Sequence, residues 1–456
     1  MACNRHVLGL GRDGYYYDGL RGEYSLVGPA SVVVFRDGDH AVAVDGRTKE
    51  VIARSTDHRE VIQRAIDQLT NGGKIFIKQG AYDIAASLDG AAYGAIKLNS
   101  NLVIEGEGYS TVLQASGING RIVEAKDKQN ITIKNIRLKS TEAALAGTNE
   151  TGGLIFKGCS NVRLINVVLE NFNKGSLSFY PRDYPDTGWQ TSPPSHDIFI
   201  DKLTYTGPDY RSDGPSFSYG TYNVVYVNSF IHSRDESLVI VGGSHDFHIA
   251  NCRFISEIGA TVHLEVMDYD IYNIYFENCY IEVKGSGAYR AVFADRITAG
   301  KYFRDSCFVN CRVYNNSTYG NNGYQFRNAR RVSIIGGVVS DVMIGVAAET
   351  DCSRIIVKGV IFYNCNINNV DLTVVKIAGV RLVDVTDAIV DGCSFIQGDN
   401  PVYGVSEEGA SDYNVISNNN ARGTSGISTV GTLSLIHISE PTRPRLISYA
   451  VFCLKK

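Results

Sequence analysis

Apolar residues along the chain alternate with polar ones in short runs and form few helical stripes. One pattern recurs: Asn or Asp, then alternating apolar positions, then Asn five positions on. The clearest copies are NITIKNIRL from Asn130, NVRLINVVL from Asn161, NVVYVNSFI from Asn223, DFHIANCRF from Asp246, NIYFENCYI from Asn273 and DSCFVNCRV from Asp305. A period of two is typical of β-strands.

Weaker copies begin at Asn101, Asp197, Arg331, Arg354, Asp387 and Asn414, so that twelve copies recur on average about every 28 residues. The shortest interval, Asn223 to Asp246, is too short for a strand, a helix and a return. It fits three short strands and three turns, with successive coils about 4.8 Å apart. The pattern therefore predicts an all-β, single-stranded parallel β-helix.

Two columns of side chains follow from this repeat. The second Asn of each copy predicts a ladder of stacked, hydrogen-bonded amides in left-handed turns, at Asn135, Asn166, Asn228, Asn251, Asn278 and Asn310. Cysteine follows this column at Cys252, Cys279, Cys311 and Cys393. We interpret these cysteines as small buried hydrophobic residues, because the paired Cys-x-x-Cys spacing of zinc sites is absent.

A helix is predicted upstream of the first coil. Asp57 is its N-cap and Glu60 follows three residues later. An apolar stripe then marks one face, which we expect to cap the open end of the solenoid. The expected organisation is an N-terminal hairpin and attachment region (1–50), a β-helix (51–432) and a tail unrelated to the fold (433–456).

Composition narrows the possible functions. The 456 residues include 46 Gly and 27 Tyr but 1 Trp, with a formal net charge of −4. No basic face stands out, so a nucleic-acid partner is not expected. The chain has no run of 18 apolar residues, so a membrane span is not expected. The first residues, MACNRHVLGLGRDG, lack the apolar core of a signal peptide.

The segments REVIQRAIDQLTNGGKIFIKQGAYDI and LVIEGEGYSTVL resemble the start of the right-handed β-helix in proteins of the pectate-lyase superfamily. That superfamily includes microbial pectinases, polygalacturonase-type glycoside hydrolases and viral tailspike depolymerases. The resemblance extends over about Val51–Gly431. It implies a right-handed coil, a polysaccharide partner and an extracellular or virion-associated location, with a homotrimer if the protein is a viral spike.

A partial match to polygalacturonases implies the site residues. Those enzymes carry Asn-Thr-Asp, Asp-Asp, Gly-His-Gly and Arg-Ile-Lys on consecutive coils. This chain offers Asp213 in RSDG, Asp235 and Glu236 in RDES, His263 in TVHLE and Arg290 in AYRAV. The glycines beside the histidine and the lysine after the arginine are missing. The resemblance implies catalytic roles for the three acids, with His263 assisting, and a substrate carboxylate for Arg290.

The repeat supports the same set independently. Asp213, Glu236 and His263 each lie ten residues before the start of a copy, which predicts one column on three coils. Glycoside hydrolysis needs two carboxyl groups in different protonation states, and crowded acids supply them. The alternative is a polar turn repeated by chance.

An insertion before the copy at Asp197 contains the only tryptophan. Trp189 and, nearby, Tyr210 are candidates for stacking on a sugar, although Trp189 could equally pin its own loop. His232, His245 and His248 alternate between sides of a coil by parity. We therefore expect neither a metal site nor a cofactor.

Three functions remain open from the sequence. The first is a glycoside hydrolase that cleaves an acidic, pectin-like or exopolysaccharide glycan. The second is a polysaccharide lyase, which needs a base near a uronate and usually calcium. The third is a non-catalytic glycan-binding viral tailspike or surface protein.

The C-terminal segment has a different origin in this interpretation. LSLIHISEPTR and ISYAVFCLKK resemble the translation of the two fixed halves of a sequencing-library adapter, separated by a barcode-sized gap. Such a tail was not selected to fit the core. It also contains the exposed β-prone run LISYAVFCL.

Deletion of residues 433–456 is expected to leave the melting temperature almost unchanged and to improve solubility. Each coil of a solenoid depends mainly on its neighbours, so any loss stays local. Calorimetry of the two chains checks this, and a marked drop in melting temperature would identify the tail as a true cap.

Overall fold

The structure is a computed structural model that describes residues 30–85, 93–115, 120–141, 151–172, 175–186, 191–207, 212–285, 290–315, 322–366, 376–421, 423–428 and 435–437. These residues form 40 β-strands, numbered β1 to β40 in chain order, one α-helix and one 3-10 turn at Gly108–Ser110. Beyond an antiparallel meander of β1 (Val32–Asp37), β2 (His40–Asp45) and β3 (Val51–Ser55), the strand pairs are parallel.

The parallel strands stack in three ladders, called sheets A, B and C. Sheet A consists of β1, β4 (Gly73–Ile77), β7 (Leu102–Gly106), β10 (Gln129–Ser140), β12 (Ser160–Glu170), β14 (His196–Asp201), β17 (Tyr222–Val227), β20 (His245–Ala250), β23 (Ile271–Glu277), β26 (Phe303–Val309), β29 (Ala329–Ile335), β32 (Ile356–Lys358), β35 (Ile389–Asp391), β38 (Val415–Ser417) and β40 (Leu435–His437).

Sheet B begins where the chain turns out of sheet A. It contains the second halves of β10 and β12, together with β5 (Gly80–Ile84), β8 (Thr111–Ala115), β15 (Thr204–Gly207), β18 (Phe230–Ser233), β21 (Arg253–Ser256), β24 (Tyr280–Val283), β27 (Arg312–Asn315), β30 (Val338–Val342), β33 (Ile361–Cys365) and β36 (Ser394–Ile396).

Sheet C completes each coil. It consists of β6 (Gly94–Lys97), β9 (Gly120–Lys126), β11 (Thr151–Lys157), β13 (Leu177–Tyr180), β16 (Ser216–Phe217), β19 (Leu238–Val241), β22 (Val262–Met267), β25 (Val292–Ile297), β28 (Asn322–Arg327), β31 (Ile344–Ser353), β34 (Ala378–Thr386), β37 (Tyr403–Glu408) and β39 (Ile427–Ser428). Three sheets with one strand each per coil confirm the predicted right-handed parallel β-helix.

The predicted capping helix is present as α1 (His58–Asp67). The Asp57 carboxylate accepts a hydrogen bond from the Glu60 backbone N–H at 3.1 Å, as an N-cap does. The apolar stripe of α1 is buried at Val61, Ile62, Ala65 and Ile66. Because this stripe joins the core of the first coils, α1 shields their apolar interior from water.

The asparagine columns have the conformation that the sequence predicts. Asn135 and Asn166 have φ values of 54° and 53°, and the Asn166 amide donates to the Asn135 side-chain oxygen at 3.0 Å. The first Asn of each copy forms a second column, in which Asn161 donates to Asn130 at 2.8 Å. At the last copy, Tyr413 and not Asn414 takes the left-handed position, so the predicted register there is wrong by one residue.

The interior is packed with aliphatic and aromatic side chains. Phe156, Phe179 and Phe217, on consecutive strands of sheet C, stack with ring centroids 5.0 and 5.2 Å apart. The cysteines that follow the asparagine column are free and buried, as predicted. Among the described residues, no helix has the length and apolar character needed to cross a bilayer.

Part of the predicted tail differs from expectation. Leu435–His437 extends sheet A by pairing in parallel with Val415–Ser417. The open edge of a solenoid presents unpaired backbone groups, which any β-prone segment can satisfy. The rest of residues 433–456 lies outside the described part of the chain.

Substitutions at Asn166 separate the two roles of the ladder. Asn166→Gly and Asn166→Ala both remove the amide hydrogen bond to Asn135, but alanine must also carry a Cβ in a left-handed turn. We expect the alanine variant to be less stable than the glycine variant by about 1–2 kcal/mol. Chemical denaturation measures the difference, and equal stabilities would show that the turn does not select the residue.

Candidate active site

The candidate site lies on the outward face of sheet C. Strand alternation sends Phe217, Ile240 and Leu264 into the core, where each is 0% exposed. The neighbouring residues therefore point outward. Val239 pairs with His263 in the ladder, and Val241 pairs with Glu265. This settles an ambiguity of the sequence, in which both alternating sets of β19 are apolar.

Two turns bring the acids to this face. Asp213 lies in the turn before β16, and Asp235 and Glu236 lie in the equivalent turn before β19. The turns are stacked by backbone hydrogen bonds, from Gly214 N–H to Glu236 C=O at 2.7 Å and from Asp235 N–H to Ser212 C=O at 3.2 Å. Asp213 and Glu236 are thus neighbours on adjacent coils.

Asp213 and Glu236 line the same cleft, whose volume is about 200 Å³. Its wall carries polar, aromatic and apolar groups: Arg121, Gly175, Ser178, Tyr180, Tyr184, Asp213, Ser216, Ser218, Tyr219, Glu236, Val239, Val241 and Glu265. Tyr180 and Tyr184 stack on each other at 3.9 Å. Acids, hydroxyls and aromatic rings in one concave surface are the groups that hold a small polar ligand.

His263 is buried beside the cleft and is surrounded by carboxylates. Its Nδ1 contacts Glu236 Oε1 closely and lies 3.3 Å from Glu265 Oε1. Its Nε2 contacts Asp295 Oδ1 at 2.7 Å. Carboxylate oxygens on both sides of the ring are satisfied when both nitrogens carry protons.

This environment sets the charge of the ring. Burial by itself lowers the pKa of His263, but hydrogen bonds to Asp295 and Glu236 and the charge of Glu265 outweigh burial and raise the pKa to about 10. His263 is therefore an imidazolium at neutral pH. It partly neutralises the acids that crowd around it.

The predicted column of three residues is only partly correct. Ser216 pairs with Val239, and Val239 pairs with His263. Asp213 lies three positions before Ser216, and Glu236 lies three positions before Val239. His263, in contrast, is itself the ladder residue of its coil. The segment from His263 to Asn273 is longer than the equivalent segment from Val239 to Asp246 in the coil before. Equal spacing to the start of the next copy therefore did not mean equal position in the ladder. The Glu236 side chain nevertheless reaches the imidazole.

Asp235 occupies a different environment from Glu236. It is not part of the cleft wall, and its carboxylate lies so close to Gly259 that a Cβ there would be 2.0 Å from Asp235 Oδ1. Burial, reinforced by the charge of Glu236 and opposed by His263, raises the pKa of Asp235 to about 6. Asp235 is therefore an acid that holds a proton in mildly acidic solution.

Arg290 lies on the far side of His263 from Asp213. Its Nε donates to Gln325 Oε1 at 2.5 Å, and its guanidinium lies 4.6 Å from the centre of the Phe293 ring. Burial and the nearby Arg327 lower its pKa. The structure does not place Arg290 in the cleft wall. Trp189 and Tyr210 lie outside the described residues.

Sequence reasoning missed three groups in and around the cleft. Glu265 follows His263 by two positions in VHLEV, so strand alternation was enough to find it. Asp295 pairs with Glu265 on the next coil, which required the register between coils. Arg121 lies far away in sequence, and no local pattern marks it.

Glu236, His263 and Glu265 also have ligand atoms within 4.8 Å of one another, close enough to surround a divalent cation. Sequence analysis predicted no metal site, because it considered other histidines. A cation at Nδ1 would have to displace the proton there, which lies between the carboxylates of Glu236 and Glu265.

No protein-family model matches the sequence, and no curated protein of similar sequence was found. Solved structures share the fold. The bacteriophage phi29 gene product 12 aligns with a TM-score of 0.63 and 15% identity, over 83% of this chain and 54% of that one. The mannuronan C-5 epimerase AlgE4 A-module of Azotobacter vinelandii aligns at 0.56 and 15%, over 83% and 95%. The tailspike of Escherichia coli bacteriophage HK620, solved with a pentasaccharide, aligns at 0.52 and 10%, over 81% and 74%.

His263→Gln is expected to flatten the dependence of stability on pH. The pKa in the folded state lies above the unfolded value of about 6.5, so the charged ring stabilises the fold fully below that pH. This contribution is lost as pH rises through about 10. Melting temperatures between about pH 6 and 10 should fall less for His263→Gln than for the wild type or a His245→Gln control. Parallel curves would contradict an imidazolium at this position.

Proposed function

We propose that the protein is a glycoside hydrolase that cleaves an acidic polysaccharide in the cleft of sheet C. The observation that carries this proposal is the pairing of Asp213 and Glu236, two carboxylates from adjacent stacked turns in one cleft wall. Hydrolysis of a glycosidic bond needs two carboxyl groups on either side of that bond. The stacked Tyr180 and Tyr184 offer an aromatic surface to a sugar ring.

The two acids differ in surroundings, which supports different roles. Glu236 accepts a hydrogen bond from the buried imidazolium of His263, and this contact holds its carboxylate in place at the cleft wall. We assign Glu236 the role of base or nucleophile. Asp213 lies on the adjacent coil in the same cleft wall and is assigned the role of proton donor to the leaving oxygen. Asp235 tunes the site by its charge, because it adjoins Glu236 without facing the cleft.

Structural neighbours are consistent with a glycan ligand. The AlgE4 module is described as acting on mannuronan, and the HK620 tailspike was solved with bound oligosaccharide. The proposal extends this to an extracellular or virion-associated location for the present chain, with a polysaccharide as partner.

Variants of the acids test the chemistry. We expect Glu236→Gln and Asp213→Asn each to slow the release of reducing ends from polygalacturonate, mannuronan or an acidic exopolysaccharide by about 10²–10⁴-fold. Asp235→Asn is the matched control. It should keep most of the activity and shift the pH profile, because its pKa of about 6 lies in the working range. Melting temperatures verify folding.

Two outcomes would contradict the proposal. If Glu236→Gln cleaves at the wild-type rate, the adjacent acids form only a polar turn and have no catalytic role. Binding of glycan without cleavage by the wild type would favour the non-catalytic spike, for which a homotrimer is the expected assembly.

A lyase is the second candidate, favoured by the ligand atoms of Glu236, His263 and Glu265, which lie within 4.8 Å of one another. A lyase would release unsaturated uronates that absorb ultraviolet light and would lose activity in a chelator. Saturated products and chelator-resistant activity are expected for the hydrolase. The same digest therefore separates the two reactions.

A further inference from the structure

Arg121 provides a buried positive charge at one end of the cleft. It belongs to β9 and is 3% exposed, yet it forms part of the cleft wall. Burial of a guanidinium is costly unless anionic or polar partners compensate for the lost water. Its place in the cleft wall puts this positive charge within reach of an anionic ligand.

Two glycines make room for this side chain. A Cβ at Gly152 would lie 2.1 Å from Arg121 Nη1, and one at Gly175 would lie 2.9 Å from Nη2. Gly175 also has a φ of 49°, a conformation that side chains other than Asn and Asp rarely adopt. Any larger residue at Gly152 would push the guanidinium out of its place. The fold thus holds Arg121 along two neighbouring coils.

The hydroxyl of Ser178 orients the guanidinium. Arg121 Nη2 donates to Ser178 Oγ at 3.3 Å. Ser178 pairs with Ser216, and Ser216 pairs with Val239. Two strand spacings therefore separate Ser178 from Val239, a distance of about 10 Å. The guanidinium of Arg121 therefore lies about two strand spacings from the coil of Glu236, whereas Asp213 is on the nearer coil, where its C=O accepts from Ser176 N–H at 3.1 Å.

The charges of the cleft explain why such a cation matters. The carboxylates of Asp213, Glu236 and Glu265 in the cleft wall repel an anionic sugar. A positive charge in the cleft wall offsets this repulsion and allows an acidic polysaccharide to bind. A planar guanidinium binds a carboxylate through two parallel hydrogen bonds.

We propose that Arg121 binds the carboxylate of a uronate in this cleft and so selects acidic over neutral sugars. This inference rests on the proposed function for the identity of the ligand as a glycan. It assigns a specificity-determining residue, and it transfers to Arg121 the role that sequence resemblance implied for Arg290.

Binding to an inactive chain tests the inference separately from catalysis. The ligands are polygalacturonate oligosaccharides and the same oligosaccharides with methyl-esterified carboxylates, measured by calorimetry on the Glu236→Gln protein. We expect esterification to weaken binding by about 10- to 100-fold. In the same background, Arg121→Gln should bring the ratio of the two affinities, free acid over methyl ester, close to one. Arg121→Lys should reduce this ratio. Arg290→Gln is the matched control and should leave the ratio unchanged.

Each result distinguishes among the possibilities. A ratio near one in the Glu236→Gln protein would overturn the inference. So would a preference for the free acid that disappears in Arg290→Gln but remains in Arg121→Gln. If the Arg121 variants fail to fold, Ser178→Ala removes the group that orients Nη2. That variant should lower the ratio severalfold, and an unchanged ratio would show that Arg121 is structural only. A wild type that discriminates by charge but never cleaves would reject the hydrolase and keep Arg121.

Discussion

The parallel backbone hydrogen bonding between coils is the constraint on which the rest of the molecule depends. It fixes one residue of each strand opposite one residue of the next, so side chains form columns about 4.8 Å apart. Left-handed turns, many of them at Asn or Asp, keep the described coils in this register, and Asn side-chain amides bond along the axis. A column can therefore bring together residues that are distant in sequence, including groups whose charges repel.

The site exploits this placement. Asp213 and Glu236 face one cleft because their turns are stacked, whereas Asp235, one residue away, lies outside its wall. The clustered carboxylates of Glu236, Glu265 and Asp295 would repel one another strongly. The buried imidazolium of His263 contacts three acids, Glu236, Glu265 and Asp295, and offsets part of that repulsion. The hydrogen-bond partners of His263 lie on adjacent coils, so this balance exists only in the folded solenoid.

Charge also divides the cleft along the solenoid axis. The acids of the cleft wall lie in the turns before β16 and β19 and on β22, and the buried Arg121 lies on β9, towards the N-terminal coils, beside two tyrosines. The proposed ligand, a sugar with an apolar ring face, hydroxyls and a carboxylate, matches this arrangement. Low identity to solved β-helix proteins means that the fold alone does not specify the reaction, so these side chains carry the functional argument.

The sequence by itself determined the fold, because the repeat, the alternation and the turn residues are local signals that each coil repeats. It also determined the capping helix through Asp57 and the burial of the cysteines, and it identified Asp213, Glu236 and His263 as candidates. Tertiary structure alone decided which acid faces the cleft, since β19 is apolar on both sides. It also decided the position of His263, because the length of a turn shifts register between coils. Arg121 and Asp295 join the site only through stacking, for which no neighbouring residue in the sequence gives a signal.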